Sequence, residues 1–486
     1  MRFRNLMYWG LVLGLILISG FADATTYECN SCSDCNNKIN STSAGDTIHL
    51  TVDIIDHSGN CIEFNDIDGI TFDCQGNRIE GNSSGYGIYL KDSLNNTITN
   101  CNVSLFRYGI DLFRSDSNIL TGNTANSNYD GIYLLFSDSN ILTGNTANLN
   151  SHDGVYFHHS NVNTLTNSNI NFNWVGISLF PSNNNTVKGN TANSNSAEGI
   201  SLSSSSENKL SDNTINFNGA GLHIFSSNTN TLRGNIVNSN ENHGIWLSNS
   251  FTNTLANNTI NSNTLHGIYL YYADTNTFVN STVNSNGYIG IYPHRSNNNT
   301  FTGNTVNSNW GGIFISYSDN NTITENTVNS NLDYGIELYY SDTNTITENT
   351  ANSNNYGIYL WHSSDNTVNL NHVCSHTTSD FFLTGTCSEN SGNDNTCDNP
   401  DGWNDMGTSG CSYDCSATTT TSTTSTTTST STSTTTTLGG ECDLLGDYPP
   451  CGEVTLSEVI DFINLWAQGQ ASLADVIDLI NAWASG

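Results

Sequence analysis

The chain has 486 residues, of which only 11% are charged, and its 44 acidic against 11 basic residues give a formal net charge of −33. So few Lys and Arg residues argue against nucleic acid as a partner, because binding to phosphates needs clustered basic side chains. Hydrophobic residues make up 35% of the chain, which disfavours one large core and favours a thin core that repeats along the sequence.

Residues 1–24 have the composition of a secretory signal. Two arginines precede an apolar run from Gly10 to Ile18, and Ala22-Asp23-Ala24 is a small-x-small cleavage pattern. The apolar run is short for a membrane span, which takes about 20 residues. We therefore predict a signal peptide over 1–24, a mature chain without a transmembrane anchor, and a secreted or cell-surface location.

The 13 cysteines also favour an oxidising compartment. None lies between Cys101 and Cys374, so they flank the middle of the chain rather than run through it. We predict disulfide-stapled caps at the two ends of the repeats, over 25–86 with the first coils and over 374–416. One of the five cysteines of the second cap is expected to be unpaired or bonded elsewhere. The spacing of Cys29, Cys32 and Cys35 also suits a metal site, but no nearby fourth ligand completes a tetrahedral set.

Internal repeats fill residues 87–373. A Gly followed by Ile, Val or Leu recurs 13 times at spacings of 22 or 23 residues. Each unit holds a short strand such as 131–134, turn residues, and a second segment such as 321–328, with no helical period. Such units are typical of a parallel β-solenoid, in which each coil completes its core by stacking on the next. We predict an all-β parallel solenoid of about 13 coils.

A column of amides is expected inside this solenoid. Three residues after the apolar position of the second segment, ten of 13 residues are Asn, among them Asn213, Asn235 and Asn258. We predict that each amide donates to the next coil and accepts from the previous one, which would satisfy buried turn groups.

The C-terminal part changes character twice. Residues 417–440 include an unbroken run of Ser and Thr from Thr418 to Thr437, which predicts an extended, O-glycosylated linker. In 441–486 the pattern Val459, Ile460, Ile463 recurs 17 residues later as Val476, Ile477, Ile480. Matching apolar stripes of this kind predict two short paired helices, a small α-helical C-terminal module.

The repeats Gly-Ile-Tyr-Leu and Asn-Thr-Ile-Thr-Glu-Asn-Thr resemble the right-handed parallel β-helix repeat family, which includes NosD-type copper-insertion proteins and carbohydrate-binding and sugar-hydrolysis domains. This resemblance covers Gly69 to about Val373 and implies a right-handed β-helix, while the same repeat occurs in lyases, hydrolases, epimerases, adhesins and inert scaffolds.

The duplicated C-terminal segment resembles dockerin modules, as found in extracellular polysaccharide-degrading complexes and some archaeal surface proteins. That resemblance implies calcium as a cofactor, with Asp447 and Glu458 as ligands, and a cohesin-like docking partner. Pro449 and Cys451 stand where further oxygen ligands belong, so a disulfide from Cys442 to Cys451 is expected to replace the ion.

An aromatic face is the main candidate binding site. If Ile points inward in the first strand of each coil, the outward position two after Gly is aromatic in eight of 13 coils. Sugars pack their C–H faces on such rings, although rings can also stack between coils for stability alone. The predicted carbohydrate-binding residues are Tyr133, Tyr156, Trp246, Tyr269, Tyr292, Phe314 and Tyr359.

Acidic residues near this face are the candidate catalytic groups. Asp111, Asp130 and Asp153 recur one coil apart, and paired carboxyl groups serve as acid and base in sugar hydrolysis. Asp before Gly is also ordinary turn chemistry. Three histidines on adjacent coils, His223, His243 and His266, could instead bind copper or zinc.

Three functions are therefore open. The first is a secreted or surface protein that binds polysaccharide or a surface glycan, or acts as an adhesive envelope scaffold. The second is a polysaccharide lyase or glycoside hydrolase of the pectate-lyase type. The third is an inert structural spacer.

Overall fold

The computed structural model describes residues 24–415, which form a parallel β-solenoid. Its coils contribute strands to a 15-stranded and a 16-stranded sheet, and each strand pairs in parallel with the equivalent strand one coil away. Ile110, for example, lies beside Ile132. The repeat length is therefore the length of one coil, and like side chains stack on like.

The 15-stranded sheet carries the Gly-apolar motif of each repeat. Its inward residues, such as Ile268 and Leu270, are fully buried. Its strands are Ile62–Asn65, Tyr86–Lys91, Tyr108–Phe113, Asp130–Leu135, Asp153–His158, Val175–Phe180, Glu198–Ser203, Ala220–Phe225, Ile245–Ser248, Ile268–Tyr271, Ile289–His294, Gly311–Ser316, Tyr334–Tyr339, Tyr356–Trp361 and Ser379–Thr384.

The 16-stranded sheet carries the second segment of each repeat. Its strands are Thr26–Cys29, Thr47–Leu50, Thr71–Asp73, Thr97–Thr99, Ile119–Thr121, Ile141–Thr143, Thr164–Thr166, Thr186–Lys188, Lys209–Ser211, Thr231–Arg233, Thr254–Ala256, Thr277–Val279, Thr300–Thr302, Thr322–Thr324, Thr345–Thr347 and Thr367–Asn369.

The third side of the solenoid is narrower. Isolated bridges between consecutive coils join its two short sheets into one continuous line of pairing. The strands on this side are Ile54–His57, Arg78–Gly81, Asn102–Ser104, Thr124–Asn126, Thr350–Asn352 and His372–Cys374.

The solenoid has about 16 coils, so the prediction of 13 was wrong. That prediction counted only coils that carry the Gly motif. The 15-stranded sheet also includes Ile62–Asn65 and Ser379–Thr384, where the pairing places Cys61 and Asp380 opposite the glycines of the adjacent coils. Among the described strands, Ser379–Thr384 is the last of that sheet, so no further strand crowds Asp380 and glycine is not needed there.

One short helix, α1 (Cys32–Ile39), lies at the N-terminal end of the described residues. The side chain of Ser31 accepts a hydrogen bond from the backbone N–H of Asp34 and caps the helix. Its apolar face, with Cys35 and Ile39 fully buried, packs against the first strands. Sequence analysis gave no sign of this helix.

Disulfides staple both ends of the solenoid, as predicted. They join Cys29 to Cys35, Cys32 to Cys61, Cys74 to Cys101, Cys374 to Cys415 and Cys397 to Cys411. The three closely spaced N-terminal cysteines are thus paired rather than arranged as metal ligands, and Cys387 is the free cysteine of the second cap. Five disulfides fit a chain that matures in an oxidising compartment.

The amide column is confirmed as an internal ladder. Asn235 is fully buried, and its Nδ2 donates to Asn258 Oδ1 and to Leu210 O, each at 3.0 Å. Its Oδ1 accepts from the backbone and side-chain N–H groups of Asn213, at 3.1 and 2.9 Å. Parallel ladders of Asn run through two further turns, as at Asn230 and Asn240. The coil of Asn235 is therefore bonded to both neighbouring coils through buried amides.

Replacing Asn235 with Ala should lower the free energy of unfolding by about 1–3 kcal/mol, because partners in both neighbouring coils lose a buried hydrogen bond. Urea unfolding monitored by circular dichroism would measure this change. Asn242→Ala is the control, since Asn242 is exposed in the next coil. Equal stability of the two variants would contradict an energetic role for the ladder.

Several predictions concern residues outside the described range of 24–415. These are the signal peptide except for its last residue, the linker, the α-helical module and the calcium ligands Asp447 and Glu458. Within the described range, no helix has the length and hydropathy needed to cross a membrane.

Candidate functional site

The outward residues of the 15-stranded sheet form a continuous surface, here called the aromatic face. The residues two after each Gly lie in register, as in the pairing of Trp246 with Tyr269 and of Tyr269 with Tyr292. The residues on either side of them point into the core, which fixes the rings on the outside. The alternation predicted from the sequence thus places these side chains on one surface.

The predicted rings fall into two groups along this face. Tyr133 and Tyr156 lie near the N-terminal end, with centroids 5.1 Å apart and ring planes tilted by 31°. Serines then occupy the column in two coils, at Ser178 and Ser201. From Trp246 the rings resume and run through Tyr269, Tyr292 and Phe314, with successive centroids 6.2, 5.2 and 5.1 Å apart.

An open cleft of about 460 Å³ lies in the second group. Three of the predicted residues, Tyr292, Phe314 and Tyr359, line it. Other walls of this cleft, including Tyr288, Trp310 and Tyr334, were not predicted from the sequence. Tyr334 directly precedes the Gly of its repeat, as Tyr86, Tyr108 and Tyr356 do. This Tyr-Gly pairing is a sequence signal that could have identified a second aromatic column.

Two carboxyl groups belong to this cleft. Glu337 occupies the outward column between Phe314 and Tyr359 and is only 6% exposed. Burial, with a further contribution from the negative charge of Asp333, raises the pKa of Glu337 to about 8. At neutral pH the cleft therefore presents a protonated carboxyl group among aromatic rings, which can donate a hydrogen bond.

The predicted catalytic acids lie at the other end of the face, in two adjacent columns. Asp111 sits between Tyr89 and Tyr133 in the outward column. Asp130 and Asp153 instead precede the Gly of their repeats, and Asp130 Oδ1 accepts a hydrogen bond from the backbone N–H of Asp153 at 2.9 Å. The structure thus brings Asp130 and Asp153 into contact, with Asp111 on the neighbouring strand position.

Burial governs the charge state of these acids. Each is 3–4% exposed. Desolvation, with a smaller effect of the charge on Asp130, raises the pKa of Asp111 to about 8. Desolvation likewise raises the pKa of Asp153 to about 7 and that of Asp130 to a smaller extent. Within residues 24–415, Asp111 Oδ1 has no hydrogen-bond partner.

His152 links the two Asp residues that touch. Its Nδ1 lies 2.8 Å from Asp130 Oδ1 and 3.7 Å from Asp153 Oδ2. One ligand atom from each of the three lies within 4.8 Å of the others, so this trio could hold a cation or pass a proton. The cleft that opens on it measures about 180 Å³, below the usual size of ligand pockets. The exposed Arg107 stacks 5.3 Å over Tyr108 nearby.

The three histidines proposed as copper or zinc ligands are part of the aromatic stacking instead. His243 and His266 stack with centroids 5.1 Å apart, and His223 stacks on Trp246 at 4.2 Å. Burial lowers the pKa of His243 to about 4 and that of His266 to about 3, so both are neutral at pH 7. Among the described residues, the groups that gather three potential metal ligands do not include them.

Comparison with known proteins gives a family but no functional relative. A family model described as "Right handed beta helix region" matches residues 116–260 and 249–399, together more than half of the chain. No curated protein sequence matches the chain.

The similar solved structures are distant. A variant of the periplasmic alginate epimerase AlgG is 16% identical, with 57% of this chain and 80% of that one covered and a TM-score of 0.40. An alginate lyase from Paenibacillus sp. str. FPU-7 is 15% identical, covering 56% and 99%, with a TM-score of 0.39. The A-module of a mannuronan C-5 epimerase from Azotobacter vinelandii is 13% identical, covering 74% and 93%, with a TM-score of 0.40. Likeness at this level concerns the coiled fold alone.

Proposed function

The chain belongs to the right-handed β-helix family, and we propose that it binds polysaccharide on the aromatic face, with the cleft between Tyr288 and Trp361 as the principal site. The observation that carries this proposal is the cleft itself. Rings of the cleft stack along their columns, as Tyr292 and Phe314 do at 5.1 Å and Tyr288 and Trp310 do at 4.9 Å. Stabilisation of the coils requires no more than this stacking, whereas the rings of these columns also border about 460 Å³ of open space.

The chemistry of the cleft suits a sugar. Aromatic planes pack against the C–H faces of pyranose rings, and a few polar groups fix their orientation. Glu337 and Asp333 provide such polar groups. The surface is also accessible, since Trp361 is 38% and Tyr288 46% exposed. Because equivalent positions recur in each coil, the face offers successive binding positions along an extended glycan.

Truncation of a cleft ring should weaken glycan binding without unfolding the protein. The full chain would first be applied to a glycan array, and the best oligosaccharide would be titrated by calorimetry. We expect Tyr359→Ala and Trp361→Ala each to weaken binding by about tenfold or more, because aromatic side chains in such sites supply most of the contact energy.

The control is Phe217→Ala, which removes an exposed ring, 63% accessible, at a turn outside the cleft. It should leave affinity unchanged. Thermal melts of all three variants should remain close to that of the parent. If no glycan binds the parent, or the cleft variants bind like the control, the rings are structural and the proposal fails.

A further inference from the structure

The charge of the cleft indicates which class of polysaccharide could bind there. Its walls include two carboxyl groups, Asp333 and Glu337, and none of the residues that line it is Lys, Arg or His. The chain as a whole carries a net charge of −33. A polymer of uronic acids would therefore bring negative charge to a negatively charged protein, with no basic partner in the cleft to offset the repulsion.

The same walls favour a cation. Ring faces attract ammonium groups through their quadrupole, most strongly where water is excluded. Glu337 is almost fully buried among Phe314, Tyr334 and Tyr359, and Asp333 is half-buried beside Tyr334. Aromatic surfaces and carboxyl groups thus converge on one space. In such a site a neutral sugar stacks on the rings and hydrogen-bonds to the acids, whereas an amino sugar also brings a positive charge to the acids.

We propose that the cleft recognises a polysaccharide with free amino groups, the sugar rings stacking on the aromatic walls and one ammonium group lying against Glu337 and Asp333. This inference rests on the proposed function and specifies its ligand. In this proposal, charge rather than shape distinguishes the cleft from binding sites for neutral or acidic glycans.

Binding of the ammonium group should release a proton. The groups facing Glu337 are Asp333, Tyr292, Tyr334, Tyr339 and Tyr359, and burial raises the pKa of Glu337 to about 8. Below that pH the free cleft holds the proton on Glu337. An ion pair with the ligand needs the carboxylate, so the proton leaves to solvent as the ammonium group arrives. The affinity for a ligand that stays protonated should then rise with pH toward 8.

Matched oligosaccharides can test this charge preference on the full chain. The three probes are a hexamer of β-1,4-linked glucosamine, the same hexamer fully N-acetylated, and cellohexaose, which is neutral with the same linkage. Titration calorimetry would be done at about pH 6, where an amine is protonated and the uncomplexed Glu337 is not ionised. The glucosamine hexamer should bind at least about tenfold more tightly than either neutral hexamer. Titrations in two buffers of different ionisation enthalpy should show proton release.

The variant Glu337→Gln should remove this preference, because an amide cannot form an ion pair with the ammonium group. Its control is Glu325→Gln, the same substitution at an exposed turn of the neighbouring coil. Thermal melts would confirm that both variants fold. The control should keep the parent's preference for the glucosamine hexamer.

The possible outcomes separate the two proposals. Equal or tighter binding of a neutral hexamer, or a preference that survives in Glu337→Gln, would overturn the amino-sugar inference while polysaccharide binding stands. Binding of other glycans on the array but none of the three hexamers would overturn it too. Binding of no glycan at all would refute the proposed function itself.

Discussion

Replacing Gly244 with Ala should lower the free energy of unfolding by about 3 kcal/mol, because overpacking a closely packed interior typically costs about 1–3 kcal/mol and occasionally more. A methyl group at this position would lie 2.7 Å from both Asn263 Nδ2 and Gly267 O, and against the side chain of Ile260. The carbonyl belongs to the backbone of the next coil and the amide to a buried ladder, so neither can move without disturbing a neighbour. Denaturant unfolding would measure the loss.

A glycine elsewhere in the repeat provides the contrast. Gly144 lies at a turn with φ +63°, and an added Cβ would meet nothing within 4 Å. At the equivalent turn of other coils, Asn100 and Asn167 adopt positive φ. Gly144→Asn should therefore change the free energy of unfolding by no more than about 1 kcal/mol. A Gly244→Ala variant as stable as Gly144→Asn would show that adjacent coils can separate to admit a methyl group.

This crowding explains how much of the fold the sequence could reveal. All 13 glycines of the motif occupy positions where a Cβ would come closer than 3.0 Å to the next coil or to the core. The glycine therefore recurs with the coil, and its spacing gives the coil length, the parallel pairing and the inward Asn235 ladder. The coils at Cys61 and Asp380 lack this glycine, which is why the count of 13 left them out.

Less of the candidate site than of the fold could be predicted from the sequence. The outward column followed from alternation along one strand, so Tyr292, Phe314 and Tyr359 were identified as neighbours. The cleft, however, depends on the tilt of the rings in adjacent columns. Tyr334 lies directly before Gly335, where alternation along the strand does not predict a ring on the outer face. Burial of Glu337 depends on those same rings, so its altered pKa has no counterpart in the sequence.

Asp111 should make the stability of the protein fall as the pH rises. Burial raises the pKa of Asp111 from 3.8 to about 8, so between these values the folded state keeps a proton that the unfolded state has lost. Its contribution to stability is therefore full below about pH 4 and is lost as the pH rises through about 8. The buried histidines act in the opposite sense, but only below their ordinary pKa of about 6.5, so the loss should be plainest above that pH.

Asp111→Asn removes the ionisable group and keeps its shape. Between about pH 6.5 and 8, the stability of this variant relative to the parent should grow by about 1.4 kcal/mol per pH unit. Chemical denaturation at a series of pH values would measure the difference, with Asp365→Asn at an exposed turn as a control that should track the parent. Parallel curves for the parent and Asp111→Asn would mean that the Asp111 carboxylate is accommodated in the folded state, by water or by a cation. A growing gap would instead show that the folded coils hold Asp111 as a neutral acid at neutral pH, available to donate a proton on the aromatic face.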